Sequence, residues 1–377
     1  MKSVPRPLGD LCLPDVELVD PRREPSQQFW YVDITSVDNS SKQIIGAQRV
    51  RGATASVRAR QVIRENDILV STTRPNLNAV AKVPAQFDGQ ICSTGFCVLR
   101  CGMELDPDYL FAFVRSRAFV GTLSNLVQGA LYPAVTERQV FAQTIPWISL
   151  EVQKQTARAL SKKLDNVSSA TSASKAQFSE LKKLSDSLVF QSLAQSKPTL
   201  SSIGESLCEI KQGVGSDWRH YPVLGATRSG LAPAKEKPGK NPERYKPAFP
   251  GTVFYNPMRI MIGSIAFVND DDKPGITSPD YVALKGKLGV VDSRWFYYWL
   301  KSPLGEQCIN SLARGAVRER MLFNRLAEGE IELPDFTVQE KASKALAQIK
   351  PMRAAIEKQM QELELIPQKL LAKVFES

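Results

Sequence analysis

The sequence predicts an α+β protein made of two repeated globular units, each followed by a long amphipathic helix. Three observations carry this prediction. A gap-free internal similarity at a shift of 185 residues joins Asp67–Val83 to Thr252–Val268 (67 to 252, 83 to 268) and sets Arg74 on Arg259. Short β-rich runs recur at matching places in both halves, each set followed by an aromatic run that starts after an Asp. Behind each half stands a long stretch whose apolar or small residues step by three and four.

The β-rich runs are Ile68–Val70 with Val253–Tyr255, Ala79–Val83 with Ser264–Val268, and Phe96–Leu99 with Tyr281–Leu284. The same shift lays Ile91–Ser93 on Ile276–Ser278, so Cys92 and Cys97 stand where the second half has Thr277 and Val282. One residue of drift later, Tyr109–Ser116 falls on Trp295–Ser302 and Gln128–Ala130 on Arg314–Ala316. Ile145 then falls on Ile331, and Val152–Gln153 on Val338–Gln339. The aromatic runs follow Asp-Pro-Asp and Val-Asp-Ser, which read as helix N-caps ahead of a buried face.

Two helical seams complete the pattern. The first runs through Leu160, Leu164, Val167, Thr171, Ser174, Phe178, Leu181, Ser185 and Leu188, and is polar at its middle. The second runs through Ala342, Ala345, Ile349, Met352, Ile356, Gln359, Leu363, Ile366 and Leu370. Each helix would be roughly 60 Å long, and neither is expected to stand unless its seam is buried, most economically against the other. Pro351 and Pro367 are expected to kink the second, since an interior Pro costs ~3 kcal/mol. The expected division is a globular domain over 1–150, a coiled-coil helix over 151–197, a second globular domain over 198–336 and a second helix over 337–377.

Charge and composition narrow the function. The 377 residues hold 49 Lys+Arg against 39 Asp+Glu, a formal charge of +10. The excess is spread rather than parked in a tail: 16−14 over 1–150, 8−4 over 151–200, 18−16 over 201–336 and 7−5 over 337–377. Such a distribution suits a polyanion-binding surface shared between domains, and equally a merely soluble basic protein. The single histidine, His220, argues against a duplicated enzyme with a His base or ligand. The six cysteines are expected as reduced thiols, and the spacing of Cys92, Cys97 and Cys101 fits no common zinc site. No apolar export region follows the N-terminus and no long apolar run occurs, so neither secretion nor a membrane span is expected and the location is expected to be cytoplasmic.

Catalytic motifs are missing where they would be diagnostic. No G-x-x-x-x-G-K-[ST] and no strand-linked G-x-G-x-x-G is present. Asn256-Pro257-Met258-Arg259 is similar to the Asn-Pro-aromatic tetrad of amino-methyltransferases but lacks the stacking aromatic. Asp165 and Glu180 would lie about 22 Å apart on one helix, too far to share a metal. Asp270–Asp272 reads as a solvated turn before Lys273-Pro274-Gly275 rather than a ligand run.

Binding chemistry remains. Arg74 and Arg259 occupy the same place in the two repeats, amid Ser71, Thr72, Thr73, Asn76 and Asn256. Arg can address a guanine edge with two hydrogen bonds, Asn prefers adenine, and the hydroxyls suit phosphates. A repeated Arg can equally make a structural ion pair. Lys211–Tyr221 interleaves Lys211, Trp218 and Arg219, and a basic Gly/Pro-rich loop follows with Arg228, Lys235, Lys237, Lys240, Arg244 and Lys246. In the first half Arg49, Arg51, Arg58 and Arg60 lie in a comparable region.

These residues resemble the specificity subunit of type I restriction–modification enzymes. The first half resembles that family's target-recognition domain at Glu65–Pro75, Ile91–Phe96, Tyr109–Phe111 with Arg115-Ser116, Gln128–Pro133, Ile145-Pro146 and Val152-Gln153. The second half keeps Gly315-Ala316, Ile331–Pro334 and Val338-Gln339, and departs more in its middle. The resemblance covers essentially the whole chain.

The resemblance implies two target-recognition domains separated by two antiparallel coiled-coil helices, related by a pseudo-twofold axis, each domain reading half of a split target in double-stranded DNA. It implies two modification (methyltransferase) subunits as partners, holding S-adenosylmethionine, and restriction (motor-nuclease) subunits using ATP and Mg. This chain would hold no cofactor or metal and would be catalytically inert. A coiled-coil protein-interaction adaptor without DNA readout is the alternative reading.

Overall fold

The computed structural model describes residues 3–14, 16–127, 133–313 and 320–376. Two matched positions of the repeat, Gln128–Ala130 and Arg314–Ala316, lie outside them. The chain divides into two compact units, Met1–Ser172 with Gln361–Ser377, and Ala173–Met360.

In the first unit three antiparallel strands form the central frame: β1 (Ile68–Ser71), flanked by β2 (Val80–Lys82) and β3 (Phe96–Leu99). Every residue of β1 and β3 is buried. Ile68, Val70, Val80, Cys97 and Leu99 enter one core, against Tyr109, Leu110 and Phe113 of α1 (Pro107–Val114). Leu69, Ala81, Phe96 and Val98 enter another, with Val32, Ile63 and Phe87. Alternate residues facing two cores explain why these strands read as unbroken apolar runs. Asp106 caps α1, its carboxylate accepting from the Tyr109 amide at 3.0 Å. A second sheet, in the order Gln48–Arg51, Gln28–Val32, Ile91–Ser93, Ala59–Val62, lies in the same unit. Its central pair is parallel. The long helix α2 (Leu150–Ala194) begins here.

The second unit rebuilds the frame from β4 (Val253–Tyr255), β5 (Ile265–Phe267) and β6 (Val282–Gly286), with Leu207–Glu209 added beside β6. Its register is that of the first unit carried 185 residues on. Ile68 faces Lys82 and Leu99, and Val253 faces Phe267 and Leu284. The double-faced burial also recurs, with Val253 and Tyr255 packed toward Trp295 and Phe296 of α3 (Ser293–Lys301) and Phe254 toward Ala226 and Ala248. Asp292 caps α3 at the Trp295 amide, 2.8 Å away. Outside the frame the units differ. Where the first has its second sheet, this one has a hairpin (Leu224–Thr227 with Gly230–Pro233) and a two-strand pair (Lys246–Ala248 with Gly275–Thr277).

A buried glutamine locks each frame to its helix. Gln153 is wholly buried; its Oε1 accepts from the Asp106 amide at 2.9 Å and its Nε2 donates to the Glu104 and Ile148 carbonyls. Gln339, equally buried, accepts from the Asp292 amide at 2.9 Å and donates to the Val290 and Pro334 carbonyls. Each glutamine thus fixes the residue that caps the aromatic helix.

The seam of α2 is as expected: Leu160, Ser174 and Ser185 are buried, and Leu164, Val167, Thr171, Phe178, Leu181 and Leu188 half-buried. Beyond β6 the chain forms α4 (Phe336–Leu346) and α5 (Ile349–Phe375). The helical run therefore breaks at Ala347–Gln348, before Pro351. In the first turn of α5 Pro351 forfeits no intrahelical bond, whereas Pro367 stays inside α5. The second seam also departs from expectation. Ala345, Met352 and Gln359 are exposed, and Leu346, Arg353 and Met360 take their places. Arg353 serves as a seam residue because its guanidinium lies over the Phe178 ring, 4.9 Å from the centroid. Within the first unit Leu160 and Leu164 share a core with Leu370 and Leu371. Within the second, Leu188 and Val189 share one with Leu346 and Ile349. Early α2 with late α5, and late α2 with early α5, is the pairing of antiparallel helices.

Candidate nucleic-acid interface

In each unit the turn joining the first two frame strands carries the repeated arginine. In the first unit the turn is braced from below. Ser71 Oγ donates to the Thr73 carbonyl at 2.9 Å, Thr72 Oγ1 donates to the Gly95 carbonyl at 2.9 Å, and Thr73 bridges to Ala134. These hydroxyls hold the turn, so the phosphate role read for Ser71 and Thr72 gives way to backbone bracing. Arg74 and Asn76 are exposed, and the side chain of Arg74 pairs with no described residue. Arg74 itself is left-handed (φ 48°) with its amide donating to the Pro133 carbonyl at 2.8 Å. A non-glycine residue in that region costs of order 1–3 kcal/mol, so the surroundings hold it there.

The second unit presents Arg259 from the matching turn, exposed, with no ion pair to a described residue. Asn256 is half-buried and structural: its Oδ1 accepts from the Met258 amide at 2.9 Å and its Nδ2 faces the Tyr281 hydroxyl at 3.4 Å. Of the two asparagines, only Asn76 is open. Both turns end on a left-handed residue, Asn78 (φ 48°) in one and Gly263 (φ 80°) in the other.

A second cation stands beside each left-handed end. Lys42 Nζ donates to the Asn78 carbonyl, and burial together with nearby Arg115 lowers its pKa to about 8. In the second unit Arg228 Cγ lies 3.7 Å from where a Gly263 Cβ would be, and the Arg228 carbonyl accepts from Lys301 Nζ at 3.2 Å. Burial, with Arg353 and Lys182, lowers Lys301 to about 8. Arg115 and Lys301 are themselves a repeated feature. Each sits over the aromatic ring four residues earlier, Arg115 at 5.0 Å from the Phe111 centroid and Lys301 at 5.3 Å from Tyr297. The aromatic-to-cation spacing of four marks Arg115 and Lys301 in the two repeats, whereas no such spacing marks Lys42.

The other expected contacts divide. Arg58 is exposed, but Arg60 is committed to Asp20 at 2.8 Å and to the Val57 carbonyl. Arg22 and Arg60 together hold Asp20 well below the usual carboxylate range. Arg219 stacks on Trp218 with 4.8 Å to the ring centroid. Lys211 is exposed near Glu209 at 3.6 Å, and Lys237 and Lys240 are exposed. Asp270–Asp272 is an exposed turn held by surface ion pairs: Asp271 and Asp272 pair with Lys350 at 2.8 and 2.7 Å, and Asp270 with Arg294 at 2.6 Å. Among the described residues no group of three His, Cys, Asp or Glu side chains is placed to hold a metal. Cys92 and Cys97 are buried strand residues whose thiols burial pushes up. Among the described residues no helix is long and apolar enough to cross a membrane.

Neither a family sequence model nor a curated protein sequence matches the chain, so the likeness is carried by three-dimensional structure. One similar chain belongs to a structure concerned with complex assembly and conformational transition of a type I restriction–modification system. It is 26% identical, with a TM-score of 0.70 over 98% of this chain and 96% of its own. The fold is that of a type I specificity subunit. The HsdS subunit of Thermoanaerobacter tengcongensis is also 26% identical, at a TM-score of 0.60 over 99% of this chain and 96% of that one. The type I S subunit of M. genitalium, 17% identical at 0.51 over 99% and 96%, repeats the fold alone. The specificity-subunit fold accounts for both halves, both frames and both long helices.

Proposed function

We propose that the chain is a sequence-specific DNA-binding specificity subunit, reading a two-part target with its two units and directing modification and restriction partners to it. The observation that carries this reading is the register-matched pair of turns, each presenting an exposed arginine from the same place on the same frame, within a fold shared along the whole chain with HsdS subunits. Exposed Arg74 and Arg259 then serve as base readers. Asn76, Arg58, Lys211, Trp218, Arg219, Lys237 and Lys240 supply further base or phosphate contacts. A coiled-coil adaptor without DNA readout is disfavoured by the same likeness. Partner methyltransferase subunits, two per chain, would hold S-adenosylmethionine, and motor-nuclease subunits would use ATP and Mg; this chain would be non-catalytic and cytoplasmic.

The test is to map methylated sites in cells carrying Arg74→Ala or Arg259→Ala. Each substitution is expected to relax one part of the target and leave the other unchanged, at a cost of about 1–3 kcal/mol at the affected base pair. An unchanged two-part site in both strains would remove these arginines from the readout. Binding of the full chain to duplex is also expected to weaken steeply with salt as phosphate contacts release counterions. Salt-insensitive behaviour would favour the adaptor.

A further inference from the structure

The residue three places after each repeated arginine is an exposed aliphatic: Leu77 is 49% exposed and Ile262 is 65% exposed. The frame registers make the two positions equivalent, since each lies directly before the left-handed residue that ends the turn. We propose that Leu77 and Ile262 make apolar contacts with base surfaces of the DNA, so that each turn reads with an arginine and an aliphatic wedge together. This rests on the DNA-reading role above and adds to it a second reading residue per unit.

Turn geometry fixes where these two residues stand. The Asn78 amide donates to the Pro75 carbonyl at 3.0 Å, and the Gly263 amide donates to the Ile260 carbonyl at 2.8 Å. Both turns are therefore closed by a hydrogen bond immediately after the aliphatic residue. At the same place in two units whose surroundings differ, about half of Leu77 and two thirds of Ile262 stay open, and packing of the turns on neighbouring helices accounts only for the covered part. In the second unit the apolar tip is broader, for Met258 (49% exposed) and Met261 (50%) flank Arg259.

The neighbouring charges point to the occupant. Lys42 stands beside Asn78 with Arg115 behind it, and Arg228 stands beside Gly263 with Lys301 behind it. An apolar surface bordered by cations matches a duplex, in which base surfaces that accept apolar wedges or contacts lie between lines of phosphates.

The experiment is a selection of random-sequence duplexes by the full-length chain. Leu77→Ser is expected to lose discrimination at one or two positions in one part of the target, and Ile262→Ser in the other part, each by roughly 5- to 100-fold. The slope of log affinity against log salt should not change, because no phosphate contact is removed. Leu77→Met should retain discrimination, and the melting temperatures of the serine variants should match wild type, as expected for exposed turn residues. If both folded serine variants enrich the wild-type target unchanged, the aliphatic contact is wrong while the arginine reading stands. If the wild-type chain enriches no sequence at all, the reading and the contact fall together.

Discussion

The two units share a frame and differ in what they build around it. The three strands keep their register, the aromatic helix keeps its Asp cap, and the glutamine that fixes the cap keeps all three hydrogen bonds. By contrast, the turn at the frame's tip is polar in the first unit apart from Leu77 (Thr73, Arg74, Asn76) and largely apolar in the second (Met258, Met261, Ile262). The elements beside it are a four-stranded sheet in one and a hairpin with a two-strand pair in the other. Between the two units the frame is kept and the surface beside it differs, as the proposed reading of two different half-targets would require.

The strongest test of a common scaffold lies in the glutamines. Gln153→Ala and Gln339→Ala each strip partners from one amide and two carbonyls, with an expected loss of about 4 kcal/mol from chemical denaturation. Comparable losses are expected because the two networks match bond for bond. A silent variant in either unit would show that its clamp is decorative.

A difference in the cores should give opposite signs. Asp67, 1% exposed, receives two hydrogen bonds from Arg100 at 2.9 and 2.7 Å. The equivalent of Asp67 is Thr252, wholly buried, whose Oγ1 has no hydrogen-bond partner among the described residues. Arg100→Met leaves a buried carboxylate and is expected to cost about 3 kcal/mol. Thr252→Val removes an unsatisfied hydroxyl and is expected to stabilise by about 1 kcal/mol. Denaturation midpoints of the two variants on opposite sides of wild type would sharpen the contrast.

A pH-dependent test concerns the half-buried amines, Lys42 in one unit and Lys301 in the other. Both have folded pKa values near 8, below the ordinary lysine value of 10.5. Folding therefore opposes the charged form, and the penalty is fully present below about pH 8. Between about pH 8 and 10.5 the unfolded chain holds a proton that the folded chain has lost, so the penalty fades as pH rises. The stability advantage of Lys42→Met or Lys301→Met over wild type is expected to shrink across that window. A pH-independent difference would mean that the amine is solvated.

Much of the architecture was legible because repetition filters noise. The strand runs around Ile68 and Val253, the Asp-capped aromatic helices and the steps of the α2 seam each follow from local sequence physics, namely apolar runs, capping carboxylates and helical periodicity. The second seam lies one residue beyond Ala345, Met352 and Gln359, where the apolar periodicity places it. Sequence alone does not reveal that an arginine can fill a seam position by lying over Phe178. The candidate site was legible only at its repeated arginines. Ser71, Thr72, Asn256 and Arg60 have the right chemistry for DNA, yet the fold gives their hydrogen-bonding groups to backbone or to neighbouring side chains.

By itself the sequence determined that this is a duplicated α+β chain with two long helices, because burying two cores and two seams leaves marks at fixed periods. Only the tertiary structure decided which polar side chains remain open. A serine, asparagine or arginine carries the same donors wherever it stands, and what distinguishes a reader from a brace is whether a carbonyl, carboxylate or ring from a distant segment has already claimed it.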